Sequence, residues 1–329
     1  MVKAYFQPRA LVLMYHRVTD SSQDVWDISV RPDLFEQQLQ LLQEDYQVLP
    51  LPELVARADK NSLKRKSIAL TFDDGYLDNF LVAKPLLEKY GLPATFFIAG
   101  GQAEAEKGFW WDELEDLVLG SQNLPARFSM AVAGAKVEIE LDKESFLTGS
   151  LQQKLSQWKA VGQEPETQRG KLFLQLWQLL RPLPYVEQQD YLARLREWAG
   201  AHNISKPAHG RMSQTQLQDL ARHPLFKLGG HTVSHPLLSS LSKARQYQEL
   251  AENQEVLQDL TGSPVQACSF PYGAYNSDSL AVAQSLGYTA AFTTQEKSIS
   301  RQTNPFQLGR VQVPNLSKQA FGQFLSYPR

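Results

Sequence analysis

The sequence predicts an α/β protein built on a parallel sheet or barrel, and three observations lead there. Short apolar, β-branched runs bounded by turn residues recur along the chain, helical patterns separate several of them, and Gly- and Pro-containing breaks stop helices just before strands. In order, the runs are residues 11–15, 47–49, 67–72, 94–99, 226–229, 265–270, 289–292 and 308–313, all of which read as buried strands. Residues 32–44 place Leu34, Phe35, Leu39 and Leu42 on one stripe of a helix. Residues 81–90 form a second helix, and residues 245–260 a third that keeps Leu250, Asn253, Val256 and Leu257 on the 3.6 period. Gly91-Leu92-Pro93 and Thr261-Gly262-Ser263-Pro264 are the breaks that return two of these helices to the sheet.

Residues 108–211 interrupt that rhythm with an alternating segment at 136–141 and then Gln- and Leu-rich helical text at 144–159 and 167–201. They read as an insertion subdomain between a first barrel part, residues 1–107, and a second, residues 212–329. Its tryptophans, Trp110, Trp111, Trp158, Trp177 and Trp198, make it apolar enough to pack. They serve either as its core or as stacking faces for a ring-shaped substrate.

Composition narrows the function classes. The chain has 329 residues, 43% of them hydrophobic and 21% charged, which suits a folded globular protein. Its formal charge of −2 provides no global basic field, so nucleic acid and anionic lipid are not expected partners. Cys268 is the single cysteine, so no disulfide and no cysteine-based zinc cluster can form, and any metal must use His and carboxylates. The N-terminal apolar run ends at His16-Arg17, fitting neither a signal peptide nor a membrane span, which makes the cytoplasm the expected location.

Three short segments could carry chemistry. Thr71-Phe72-Asp73-Asp74-Gly75 ends a strand, where α/β folds place functional groups; a helix N-cap followed by a first-turn acid is the plainer reading. Gly229-Gly230-His231-Thr232-Val233-Ser234-His235-Pro236 sets two imidazoles four residues apart, on one face if the segment is a helical turn. Thr232 stands where a His-Glu-x-x-His motif would have its base, so the base must come from elsewhere, with Asp73 or Asp74 the obvious donor. One Asp with two His gives three ligands and leaves positions open, as a catalytic metal requires. Ser269-Phe270-Pro271-Tyr272-Gly273 is by itself a turn, with a backbone N–H that could serve an oxyanion.

In this order, the three segments resemble the polysaccharide deacetylases, also called carbohydrate esterase family 4 or NodB-homology proteins. The resemblance covers roughly residues 10–100 and 225–315 and implies a distorted (β/α)7 barrel. It further implies that Asp73 is the general base, that Asp74, His231 and His235 hold a divalent metal, and that the Tyr272 N–H helps to bind the oxyanion. Zn²⁺ is the expected ion, with Co²⁺, Ni²⁺ and Fe²⁺ compatible. Two departures stand out. Ser269 occupies the position of the family's arginine, which orients the base, and Arg310 is the candidate replacement. No histidine follows His235 to act as the late general acid. Leu13-Met14-Tyr15-His16-Arg17-Val18 resembles the opening of a permuted branch that carries the acid at its start, making His16 the candidate. His202, His209 and His223 receive no role.

These parts imply metal-assisted removal of an N-acyl group, most often N-acetyl, from an amino sugar in a glycan, a lipid-linked saccharide or a nucleotide sugar. The missing leader favours a soluble or cytoplasmic-face precursor. A deformylase or non-sugar amidase on the same centre, and a degenerate glycan-binding protein, are the competing readings. Oligomeric state is not legible.

Overall fold

The computed structural model describes residues 9–21, 23–100, 108–201 and 210–327. The chain divides into two compact units, one of Met1–Asp20, Ile28–Ala105 and Met212–Arg329, the other of Ser21–Asp27 and Glu106–Arg211. The short 21–27 segment therefore belongs to the second unit, not to the barrel part in which the sequence reading placed it.

The first unit begins with β1 (Leu11–Tyr15), β2 (Arg17–Val18), β3 (Ser29–Val30), α1 (Pro32–Asp45), β4 (Gln47–Val48), α2 (Leu51–Asp59), β5 (Ser67–Phe72), α3 (Lys84–Tyr90) and β6 (Ala94–Ile98). The second unit contributes α4 (Trp110–Glu115), the antiparallel pair β7 (Arg127–Val132) and β8 (Ala135–Glu140), and α5 (Gly149–Gln157), α6 (Gln168–Leu180) and α7 (Tyr185–Ala199). The first unit then resumes with α8 (Gln214–Arg222), β9 (Phe226–Gly230), α9 (Lys243–Thr261), β10 (Ala267–Ser269), α10 (Ser277–Ser285), β11 (Ala290–Phe292), β12 (Val311–Gln312) and α11 (Lys318–Ser326).

Seven strands run in the order β11-β10-β9-β6-β5-β1-β12, every pair parallel, with β4 beside the start of β5. Leu308 bridges Phe292 while Val311 and Gln312 pair with β1, so one segment touches both ends of the curled sheet. This is the distorted barrel that the resemblance implies. Strand residues alternate between its faces. Leu13, Tyr15, Leu70, Phe72 and Phe96 pack with Phe35 and Leu39 of α1, Leu87 of α3 and Leu250 of α9. Val12, Ala69, Phe97, Phe292 and Leu308 form a second cluster on the opposite face. Burial on both faces is why these strands read as unbroken apolar runs. The helices stop where the breaks predict: Gly91 (φ 63°) and Gly262 (φ 62°) are left-handed C-caps of α3 and α9. The helix expected at 81–90 begins instead as a π-helical turn, Asn79–Ala83, and is α-helical only from Lys84.

In the second unit, Arg169 is fully buried and donates to the carbonyls of Val118, Ser121, Glu144 and Ser145. Trp110, Trp111, Trp158 and Trp177 are buried within it, which favours their reading as core over stacking faces. Among the described residues, no helix is long and apolar enough to cross a membrane.

Candidate active site

The carboxyl ends of β1, β5, β9 and β10 bring the motif residues together. The Asp73 N–H donates to the Tyr15 carbonyl at 3.0 Å, extending the β1–β5 ladder by one step, and Asp74 then takes a left-handed backbone (φ 73°). That turn sends two adjacent carboxylates to different partners, so the plain N-cap reading does not hold.

Asp73 faces Arg310. The guanidinium donates to its two carboxylate oxygens at 2.6 Å each, while its Nε donates to the Thr293 carbonyl at 3.1 Å. Arg310 has no exposed surface and its charge is matched in a bidentate fork, the strongest form of such a pair. Burial opposes ionisation of Asp73, but Arg310, and after it His231, holds the carboxyl below its ordinary range. The position taken by Ser269 has a different use. The His231 Nδ1 lies 2.8 Å from the Ser269 carbonyl and 2.6 Å from its Oγ, which fixes the tautomer and turns Nε2 towards Asp74.

Asp74, His231 and His235 form a buried three-donor cluster. The Asp74 Oδ1 lies 3.4 Å from the His231 Nε2 and 3.3 Å from the His235 Nε2. These spacings are long for hydrogen bonds, and the Asp74 Oδ1 is buried without a hydrogen-bond partner. They match the edge of a tetrahedron whose centre is about 2.0–2.1 Å from each donor, roughly 3.3–3.4 Å, so the residues fit a zinc-like ion. Burial opposes the charge on Asp74, yet the two imidazoles hold its carboxyl well below the usual range. For His235 burial outweighs Asp74 and lowers the pKa, whereas Asp73 and Asp74 overcome burial at His231 and raise it.

One expectation is corrected. The two histidines do not meet on a helical turn: residues 231–235 form an irregular loop in which Thr232 (φ 69°) and His235 (φ 54°) are left-handed. Asp74 and Tyr272 (φ 57°) share that conformation, so four non-glycine residues of these motifs sit in a region that ordinarily costs energy. Tyr272 lies edge-on to the His235 ring at 4.6 Å, bringing the third motif to the cluster. His16 follows β1, near enough to Asp73 and Asp74 that a proton on its ring would favour both carboxylates, and its Nδ1 is buried without a hydrogen-bond partner. Asp78 and Asn79 hold the segment: Asn79 donates to the His16 carbonyl at 2.8 Å, and Asp78 pairs with Arg17 at 3.1 Å. His223 lies elsewhere, 3.5 Å from Glu88, and His202 and His209 fall outside the described residues.

Sequence reasoning missed Glu249 and Asn253 on α9. The Glu249 Oε2 accepts the Val233 and Ser234 N–H groups at 3.0 and 2.9 Å, and Asn253 accepts the His231 N–H at 3.0 Å. The available signal was a polar residue on a buried helical stripe, since Asn253 lies on the same face as Leu250 and Leu257.

Comparison with known proteins follows the same line. Residues 60–122 and 190–291 match the family model described as polysaccharide deacetylase. YxkH of Bacillus subtilis (strain 168), itself provisionally named a polysaccharide deacetylase, is 22% identical over 318 residues, covering 95% of this chain and 75% of that protein. The poly-beta-1,6-N-acetyl-D-glucosamine N-deacetylase of Staphylococcus aureus (strain MSSA476) is 32% identical over 115 residues, 31% of this chain and 40% of that enzyme. Among solved structures, the Streptococcus pyogenes deacetylase PplD, in complex with acetate, aligns with a TM-score of 0.60 at 20% identity, over 97% of this chain and 99% of that one. IcaB from Ammonifex degensii aligns with a TM-score of 0.57 at 18% identity, over 97% and 98% of the two chains.

Proposed function

Because the chain belongs to the polysaccharide deacetylase family, we propose that it is a metal-dependent hydrolase that removes the N-acetyl group from an amino sugar within a saccharide. The observation that carries this reading is the adjacency of two differently tuned carboxylates: Asp73 locked to Arg310, and Asp74 grouped with His231 and His235. A glycan-binding protein has no use for a buried, ionised base beside a metal-fitting cluster. The substrates named for the relatives favour an N-acetylglucosamine polymer.

Asp74, His231 and His235 would hold a divalent cation, Zn²⁺ by the donor set and its spacing. Such an ion supplies Lewis acidity and lowers the pKa of water. Asp73, kept ionised by Arg310, takes the proton from the water that attacks the amide carbonyl. The Tyr272 backbone N–H, set by its left-handed turn, donates to the oxyanion of the tetrahedral intermediate. His16 in its protonated form gives a proton to the leaving amine nitrogen, without which the C–N bond breaks slowly. The opening Tyr15-His16-Arg17-Val18 is thus the permuted counterpart of the family's late acid motif.

Product analysis tests the reaction class. Zinc-loaded protein incubated with N-acetyl and N-formyl glucosamine oligomers, nucleotide sugars and simple amides is expected to release acetate from the N-acetyl saccharides. Release of formate or ammonia in preference to acetate would replace this reading with a deformylase or a non-sugar amidase.

A further inference from the structure

We propose that Glu249 and Asn253 of α9 are positioning residues that set the metal affinity of the Asp74, His231 and His235 cluster. The inference rests on reading that cluster as a metal centre. The loop between the two histidines contains two left-handed non-glycine residues, Thr232 and His235, a conformation that persists only where the surroundings over-determine it. The determination comes from α9. Glu249 takes both backbone N–H groups at the loop's centre on Oε2, and the Ser234 hydroxyl on Oε1 at 2.7 Å.

Asn253 holds the loop's start. Its Oδ1 accepts the His231 N–H at 3.0 Å, and its Nδ2 donates to the carbonyls of Ile98 and Gly100 at 3.1 and 2.8 Å, using both of its donors. The same β6 end ties the other ligand, because the Ala99 N–H donates to the Asp74 carbonyl at 3.2 Å and the Gly100 N–H to the Thr232 carbonyl at 3.0 Å. Asn253 thus joins the end of β9, which carries His231, to the end of β6, whose Ala99 N–H holds the Asp74 carbonyl. This close approach also explains Gly230: a Cβ there would stand 3.0 Å from the Asn253 Oδ1 and 2.6 Å from the Tyr288 hydroxyl. The Asp74 Oδ1 is held 3.3–3.4 Å from each imidazole Nε2 by backbone contacts that a loop open to water would lack.

The test is the Zn²⁺ dissociation constant of the full chain, by competition with a chromophoric chelator, with thermal unfolding of the metal-free protein in parallel. Glu249→Ala is expected to weaken zinc by about 10- to 100-fold, the range for outer groups that orient metal ligands. Glu249→Gln is expected to restore near wild-type affinity, since its carbonyl can accept both N–H groups while its amide donates to the Ser234 Oγ. If Glu249→Ala does not fold, Asn253→Ala carries the same test by removing the acceptor of the His231 N–H and the donors to Ile98 and Gly100. Wild-type zinc affinity in whichever of these alanine variants is folded overturns the proposal, as does equal weakening by alanine and glutamine. Failure of the wild-type protein itself to bind zinc would remove the metal reading first, a result distinct from normal binding in the variants.

Discussion

Asp73→Asn is expected to lower turnover by about 10²- to 10⁴-fold, the contribution typical of a general base, while binding zinc as tightly as the wild type. Asp74→Ala is expected to lose zinc and turnover together. The two carboxylates are neighbours in sequence, and the left-handed turn at Asp74 separates their work. Asp73 reaches Arg310 at 2.6 Å, whereas Asp74 lies 3.3–3.4 Å from the two imidazoles. Metal content by elemental analysis and kcat at saturating zinc separate the two variants. Undiminished turnover in Asp73→Asn would refute its assignment as the base, and full zinc occupancy in Asp74→Ala would refute its assignment as a ligand.

Arg310→Met has the second large effect, on stability and on pH dependence at once. Both partners are buried, so removing the guanidinium leaves Asp73 as an uncompensated interior charge, at a cost of about 3–5 kcal/mol. In the wild type the Asp73 carboxyl is depressed in the folded state. Its stabilising contribution is therefore present above the ordinary carboxylate pKa and is lost as pH falls through the depressed folded value. Loss of the cation raises that value, so the acid limb of the rate profile should move to higher pH in Arg310→Met. Urea unfolding and a pH–rate profile read the two effects. The double variant Asp73→Asn/Arg310→Met should recover much of the stability and none of the turnover, because neither buried charge remains. An acid limb that stays in place in Arg310→Met would detach the arginine from the base.

Much of the fold is legible because two-sided burial leaves a local mark. Residues 11–15 and 67–72 read as strands by composition and are the observed β1 and β5, and Gly91 and Gly262 announce the ends of α3 and α9. The 289–292 and 308–313 runs are only partly laddered, as β11, β12 and the Leu308 bridge, since a curled sheet needs few paired residues where it turns back on itself. At the site, residue types were legible and conformations were not. The four-residue spacing of His231 and His235 suggested a helical turn, yet their approach comes from left-handed residues that no periodicity announces. Arg310 reads as a surface residue in isolation. Only the pairing of the 308–313 segment with β1 carries it to Asp73, a contact across 237 residues of chain. Glu249 and Asn253 were hidden for the same reason, because their partners are backbone groups of another segment.

The most direct measurement is an anomalous difference map at the zinc absorption edge from a crystal grown with Zn²⁺. A single peak about 2.0–2.1 Å from the Asp74 Oδ1 and the Nε2 atoms of His231 and His235, with Asp73 still paired to Arg310, is the result expected. A peak at other residues, or none at these three in the presence of zinc, would contradict the account at its centre.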